Sequence, residues 1–243
     1  MSAPVFLVET AALRNDRVLL DGPEGRHAAT VRRMRVGEGV VLADGAGSSA
    51  RCEVVEVLKA ALEVEVLERS VEEAPAPRIV VVQALPKGER GELAVEVMTE
   101  AGVDVIVPWS ASRSITQWKA DRKDKALSRW RNAAREAGKQ SRRTWLPEVA
   151  DLESTRQVTA RLAAAGRAFV LHEDAVEPLS RAALGDAAEI VLVVGPEGGI
   201  SPEELAAFTG AGAEAVRLGP SVLRTSTAGV AAASVLMART GRW

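Results

Sequence analysis

Two rhythms of apolar and polar residues divide the chain. Up to about residue 70, apolar positions come in short runs: Val5–Val8, Arg17–Leu20, Gly39–Ala43, Ala50–Val57 and Leu62–Leu67. Asn15-Asp16, Asp21-Gly22-Pro23 and Asp44-Gly45-Ala46-Gly47 separate them as turn markers. Short strands at this spacing predict a small antiparallel barrel, interrupted by one helical stretch near Glu24–Met34. Glu72-Glu73-Ala74-Pro75-Ala76-Pro77 is a short acidic, proline-containing joint, so the expected domains are 1–72 and 73–243.

Beyond the joint the pattern changes to strands alternating with helices, the mark of an α/β domain. Arg78–Ala84, Val103–Pro108 and Arg167–His172 read as strands. Glu89–Ala101, Lys123–Lys139 and Ser154–Ala165 read as helices. Ile190–Val194 is a β-branched run of the kind buried on both faces in parallel sheets. It breaks into Gly195-Pro196-Glu197-Gly198-Gly199-Ile200, and a helix follows. Ser201 is suited to cap that helix, Pro202 to its first position, and Glu203 and Glu204 to its positive end. A strand, a glycine turn and a capped helix make a nucleotide-type pocket at the carboxyl end of a sheet. On these residues alone the segment is equally an ordinary strand-to-helix turn. It lacks the Gly-Lys-Ser/Thr of a Walker A loop and is not a G-x-G-x-x-G fingerprint. A second glycine segment, Val216 to Ala228, leads into an Ala-rich helix over Gly229–Met237.

Composition narrows the class. With 47% hydrophobic residues over 243 positions, the chain has ample material for a globular core. No apolar run reaches membrane-spanning length, and Met1-Ser2-Ala3-Pro4-Val5-Phe6 lacks the charged start of a signal peptide, so a cytoplasmic protein without a membrane partner is expected. One cysteine excludes an internal disulfide, and Cys52, in a strand-like run, is expected as a small buried hydrophobe. Two histidines and one cysteine, widely scattered, make no conventional zinc site, so a metal-free protein is expected. The net charge of −2 argues against a uniformly basic nucleic-acid binder. Its distribution is uneven: Ser110–Trp145 holds eleven Lys or Arg against three acids, about +8, leaving about −10 elsewhere. That stretch is either a salt-bridged exposed helix face or an RNA contact. The second reading draws on Trp118, Trp130 and Trp145, interleaved with the arginines, since indole and guanidinium planes both stack on bases.

Gly-Pro-Glu-Gly-Gly at 195–199 followed by Leu-Gly-Pro-x-x-Leu-Arg-Thr-x-Thr-Ala at 218–228 resembles the C-terminal signature of the SPOUT methyltransferases. Within them the sequence is most similar to the ribosomal RNA small-subunit methyltransferase E family. The likeness extends to Arg26-His27 with the arginine-rich run through Arg32, Arg33 and Arg35 to Val36-Gly37-Glu38. It includes Pro86-Lys87-Gly88-Glu89-Arg90, Thr99-Glu100-Ala101-Gly102-Val103, Arg113-Ser114, and Glu136-Ala137 with Gln140-Ser141-x-Arg143. Lys139 stands where the family motif has an acid, which weakens any role carried over to that position.

The resemblance implies an α/β fold with a trefoil-knotted SPOUT domain at the C-terminus and a PUA-like β-barrel at the N-terminus that holds RNA. Such knots are exceptions to ordinary chain topology, so no periodicity predicts one. It implies methyl transfer from S-adenosyl-L-methionine to N3 of a uridine in 16S ribosomal RNA of the small subunit, usually by a homodimer. The cofactor residues implied are Leu171 and His172, then Gly195, Pro196, Glu197, Gly198, Gly199 and Ile200, then Leu218, Gly219, Leu223, Thr225, Thr227 and Ala228. Arg224 is the catalytic candidate, a cation beside the developing uracil anion, with a structural clasp as its other reading. Glu197 can orient the substrate or the methionine amine. RNA candidates are Arg26, His27 (RNA-facing or structural), Arg32, Arg33, Lys87, Arg113, Gln140 and Arg142. Two alternatives remain at this point: a related SPOUT enzyme acting on a ribose 2′-hydroxyl or a transfer RNA base, and a non-catalytic ribosome-binding protein.

Overall fold

The computed structural model describes residues 3–88 and 90–243. Glu89, expected at a helix start, and the Met1-Ser2 terminus lie outside the described residues. The chain forms two compact units, one of 1–74 with 138–146, the other of 75–137 with 147–243. The expected boundary at 72/73 falls two residues before the observed one, and the segment Gly138–Leu146, read as part of the second domain, counts with the first unit.

The first unit is built on strands β1 (Val5–Leu7), β2 (Arg17–Leu20), β3 (Gly39–Ala43), β4 (Ser48–Val57) and β5 (Leu62–Val71). They pair in the order β1-β3-β4-β5-β2. The sheet is mixed and not purely antiparallel as expected, because β1 runs parallel to β3. The alternation in β4 follows the pleat: Ala50, Cys52 and Val54 face the core, while Arg51 and Glu53 are exposed. Cys52 is fully buried and unpaired, and burial pushes its thiol up to about 11. A short helix α1 (Gly22–Arg26) continues into one wide helical turn, His27–Val31. The segment Gly138–Leu146 joins this unit through Trp145, which lies against Gly47 and donates from Nε1 to the Glu72 carbonyl at 3.1 Å.

The second unit is a parallel sheet between helices. Its strands are β6 (Arg78–Ala84), β7 (Val105–Ser110), the short β8 (Glu148–Val149) and β9 (Glu153–Ser154), β10 (Arg167–Leu171), β11 (Glu189–Val194) and β12 (Glu214–Val216). The order is β12-β10-β11-β6-β7-β8, with β9 pairing to β7, and every pairing is parallel. Both faces are covered, which is why Ile79–Val82 of β6 and Ile190–Val194 of β11 read as apolar runs without alternation. Ile79, Val81, Leu192 and Val194 face α2 (Arg90–Ala101), α3 (Ala120–Gln140) and α6 (Thr225–Arg239). Val80, Val82, Val191 and Val193 face α4 (Thr155–Ala164) and α5 (Pro202–Gly210). Ser154 and Ser201 cap α4 and α5 in full capping boxes with Gln157 and Glu204. Arg242 fastens the end of the chain: its guanidinium reaches Asp104 and the carbonyls of Pro77 and Gly102.

Of the three tryptophans in the stretch 110–145, only Trp130 lies on α3, and it faces the core. Trp130 is 4% exposed and packs edge-on against Trp118 at 5.2 Å between ring centroids. Leu127, Trp130, Ala134 and Ala137 follow helical spacing and form the buried stripe of α3. Trp130 is core, half-buried Trp118 packs against it, and Arg129, Arg131 and Arg135 lie on the exposed faces.

Candidate active site

Because β12, β10 and β11 are adjacent and parallel, their carboxyl ends lie side by side on one edge of the sheet. Leu171 closes β10 opposite Val216, the last residue of β12, and the His172 amide donates to the Val216 carbonyl at 3.0 Å. Three chain segments therefore leave the sheet together: Leu171-His172, the turn 195–200, and the loop 217–224. These are the segments that hold the expected cofactor residues.

The first turn is tightly made. Gly199 donates from its amide to the Pro196 carbonyl at 2.9 Å and takes φ +72°, a left-handed conformation suited to glycine. A Cβ on Gly198 would lie 3.0 Å from the Arg113 carbonyl oxygen, a tight approach that a side chain there could take only if the Arg113 backbone gave by a few tenths of an ångström. Pro196 and Ile200 are buried, Gly195 is half-buried, and Glu197, Gly198 and Gly199 are exposed. Glu197 accepts from the Lys87 amide at 3.1 Å, and Arg113 donates from Nη1 to the Gly198 carbonyl at 3.4 Å. The turn is thus bordered by both of the RNA candidates that belong to this unit.

Beneath it, Glu204 is 4% exposed and satisfied by three neutral donors. Its Oε1 accepts from the Ser112 amide at 2.8 Å and from Thr155 Oγ1 at 3.0 Å, and its Oε2 accepts from the Ser201 amide at 3.1 Å. One carboxylate so joins the loop after β7, the first turn of α4 and the start of α5. The sequence signal was the Ser-x-x-Glu spacing; its reach to two further elements had no local signature. Exposed Glu203 has its carboxyl held below the usual range, chiefly by its own backbone amide and the Ser201 hydroxyl.

The second segment is open. Gly219, Pro220, Ser221, Val222, Leu223 and Arg224 are all exposed, Val222 by 77% and Leu223 by 40%, while Leu218 and Ala228 are half-buried. Arg224 is the N-cap residue of α6: its carbonyl accepts from the amides of Thr227 and Ala228, both at 2.9 Å, and its side chain makes no capping bond. Thr227 Oγ1 also donates to that carbonyl at 3.2 Å, and Thr225 is buried beneath it. His172 is half-buried, with Nδ1 accepting from the Asp174 amide at 3.3 Å. One residue of this region went unnoticed in the sequence: Gln83, fully buried on β6, donates from Nε2 to the Thr225 carbonyl at 3.3 Å. Its signal was a single amide within Val80-Val81-Val82-Gln83-Ala84-Leu85.

Six of the eight RNA candidates fall in the first unit: Arg26, His27, Arg32, Arg33, Gln140 and Arg142. Arg26, Arg32, Arg33, Gln140 and Arg142 are exposed, and half-buried His27 meets Phe6 edge-on. Arg33 and Arg142 both hold positive φ, +53° and +59°, which is costly for a residue with a Cβ. Lys139, the departure from the family motif, has a role in this structure: its ammonium lies 3.1 Å from the Glu24 carboxylate, with both side chains nine-tenths buried or more. Among the described residues no cluster of metal-ligating side chains occurs, and no helix is long and apolar enough to cross a membrane.

The unit with the parallel sheet and its two glycine-containing loops, and the small β unit carrying basic residues, each match a domain of the RNA methyltransferase class. The model for the RNA methyltransferase domain matches residues 72–237, and that for the RNA methyltransferase PUA domain matches 20–67. Ribosomal RNA small subunit methyltransferase E of Mycobacterium bovis is 48% identical over 247 aligned positions, covering 100% of this chain and 94% of its own length. The Bacillus subtilis protein of the same name is 29% identical over 91% of this chain and 90% of its own. The chain belongs to the ribosomal RNA small subunit methyltransferase E family. A solved structure of that enzyme from Neisseria gonorrhoeae, bound to S-adenosyl methionine, superposes with a TM-score of 0.87 at 26% identity and covers 98% of both chains. A methyltransferase from Legionella pneumophila with the same cofactor bound gives 0.85 at 28% identity, again over 98% of both.

Proposed function

We propose that this chain transfers the methyl group of S-adenosylmethionine to N3 of a uridine in the 16S RNA of the small ribosomal subunit. The observation that carries the reading is the convergence of Leu171-His172, the 195–200 turn and the 217–228 segment at adjacent strand ends. The family relatives act, by name, on small-subunit ribosomal RNA, and two structural neighbours hold the cofactor.

The residues fit that cofactor. A Cβ at Gly199 or at Gly219 would meet nothing within 4 Å, so the backbone of both loops is open to close approach. Leu171, Ile200, Leu218 and Leu223 offer apolar walls, while exposed main chain can read an adenine edge. S-adenosylmethionine, when bound, supplies an electrophilic methyl group and a thioether leaving group. Arg224 sits exposed at the start of α6 with its guanidinium uncommitted to a helix cap, beside the loop that precedes it. There it stabilises the negative charge that uracil gains as N3 gives up its proton. Glu197, Lys87 and Arg113 line the other side of the turn, where they hold the nucleotide in line with the incoming methyl. Arg26, His27, Arg32, Arg33, Gln140 and Arg142 hold phosphates or bases from the first unit.

The reading extends to a trefoil knot formed by the C-terminal loops, a homodimer and a cytoplasmic location. Support for the dimer comes from Val222 and Leu223, apolar side chains in solvent.

The test is Arg224→Ala, assayed by transfer of labelled methyl to unmethylated small subunits and by calorimetric titration with S-adenosylmethionine. Turnover should fall about 100-fold or more, the scale for losing one transition-state charge stabiliser, with cofactor affinity kept within about threefold. Loss of cofactor binding would make Arg224 a clasp of the loop and remove its catalytic role.

A further inference from the structure

Gln83 is a polar side chain among apolar neighbours. It is fully buried on β6, in the middle of the parallel sheet, flanked by Val82 and Ala84 and paired in register with Val194, which leads into Gly195. Its Nε2 donates to the Ala84 carbonyl at 3.0 Å and to the Thr225 carbonyl at 3.3 Å. Its Oε1 is sealed from solvent and has no hydrogen-bond partner among the described residues. The start of α6 lies directly on it: a Cβ added to Gly229 would fall 3.2 Å from Gln83 Oε1 and 2.8 Å from the Met98 sulfur.

An amide with an orphaned oxygen is a poor choice for stability at such a position. Desolvating an unpaired acceptor is unfavourable, and an apolar side chain of the same length loses nothing by burial. What the amide does provide is a donor aimed at Thr225, the residue after Arg224. Through its backbone it lies beside the first glycine turn, and through its side chain it holds the end of the second loop.

We infer that Gln83 is a positioning residue that pins the first turn of α6, and so the Arg224 peptide at its N-cap, against the strand that ends in the Gly195 turn. The kinetic consequence rests on the proposed function; the pinning itself does not.

The experiment is Gln83→Met in the full chain, which keeps side-chain length and removes the donor. Exchange of the Thr227 and Ala228 amides, both bonded to the Arg224 carbonyl, should become about tenfold faster or more, as expected when one local opening is eased. The Tm should stay within about 3 °C of the parent, because loss of the donor is offset by removal of the orphaned oxygen. Affinity for S-adenosylmethionine should hold within about threefold while kcat on small subunits falls about tenfold, the signature of a misplaced group and not of lost binding. Unchanged exchange at the two amides would overturn the inference, as would a Tm drop beyond about 5 °C with protection lost along all of α6, which would make the amide a general strut. Gln83→Leu should reproduce the pattern; an effect confined to methionine would trace it to packing and overturn it as well. Should the parent protein itself transfer no methyl, the proposed function fails, and the exchange and melting measurements still decide the role of Gln83.

Discussion

Gly199 shows how a single residue can be fixed by two separate demands. Its φ of +72° suits glycine, and the space where a Cβ would project is open. Gly185, at +60° in the loop before β11, meets the first demand at the opposite end of that strand. Valine at either position should cost about 1–3 kcal/mol in chemical denaturation, since a β-branched side chain is strained there. Only Gly199→Val should also weaken S-adenosylmethionine binding in calorimetry, because only that Cβ projects into the proposed cofactor site. Equal losses of affinity in both variants would show that the turn merely needs stability. Cys52, read from the sequence as a small hydrophobe, behaves as one: burial raises its thiol to about 11, out of the reactive range.

At the scale of elements, the sequence was most readable where one physical demand acted along a whole segment. Ile190–Val194 is buried on both faces, and this unbroken apolar run marks a parallel strand, Glu189–Val194, to within one residue. Ser201 and Pro202 likewise marked the start of α5. Three-residue β12 and two-residue β8 and β9 are too short to carry a period, so the third strand end of the site had no local signature. Helix α3 is less legible for the opposite reason. Its many charges mask the buried stripe of Leu127, Trp130, Ala134 and Ala137, so the sequence leaves an exposed salt-bridged face and an RNA contact both open, and Trp130 turns out to belong to the core. The cofactor loops and the basic run near Arg32 were legible through resemblance to a family; Gln83 and the wider reach of Glu204 depend on contacts between elements distant in sequence.

The last turn of α3 supplies its own prediction. Lys139 and Glu24 form a buried pair that ties the segment 138–146 to α1, and both of those segments carry RNA candidates. Removing the cation leaves a carboxylate in a site built for a pair, so Lys139→Met should lower unfolding free energy by about 3 kcal/mol in urea. A loss below about 1 kcal/mol would put the pair in the class of solvated surface bridges. The position where the chain departs from its family motif is thereby given a structural role within the first unit.

For the molecule as a whole, the uneven charge is the counterpart of the fold. A chain with net charge −2 concentrates about +8 between Ser110 and Trp145, and a polyanion responds to that local field more than to the total. The first unit carries six of the RNA candidates, and the second carries the converging loops with Arg224, Lys87 and Arg113. In the proposed reaction these loops direct a methyl group from S-adenosylmethionine to a uracil ring nitrogen in small-subunit RNA. Mass spectrometry of nucleosides from unmethylated small subunits incubated with the protein and S-adenosylmethionine tests this. 3-Methyluridine should appear. A methyl on a ribose or on another base, or none despite cofactor binding, would contradict the proposal.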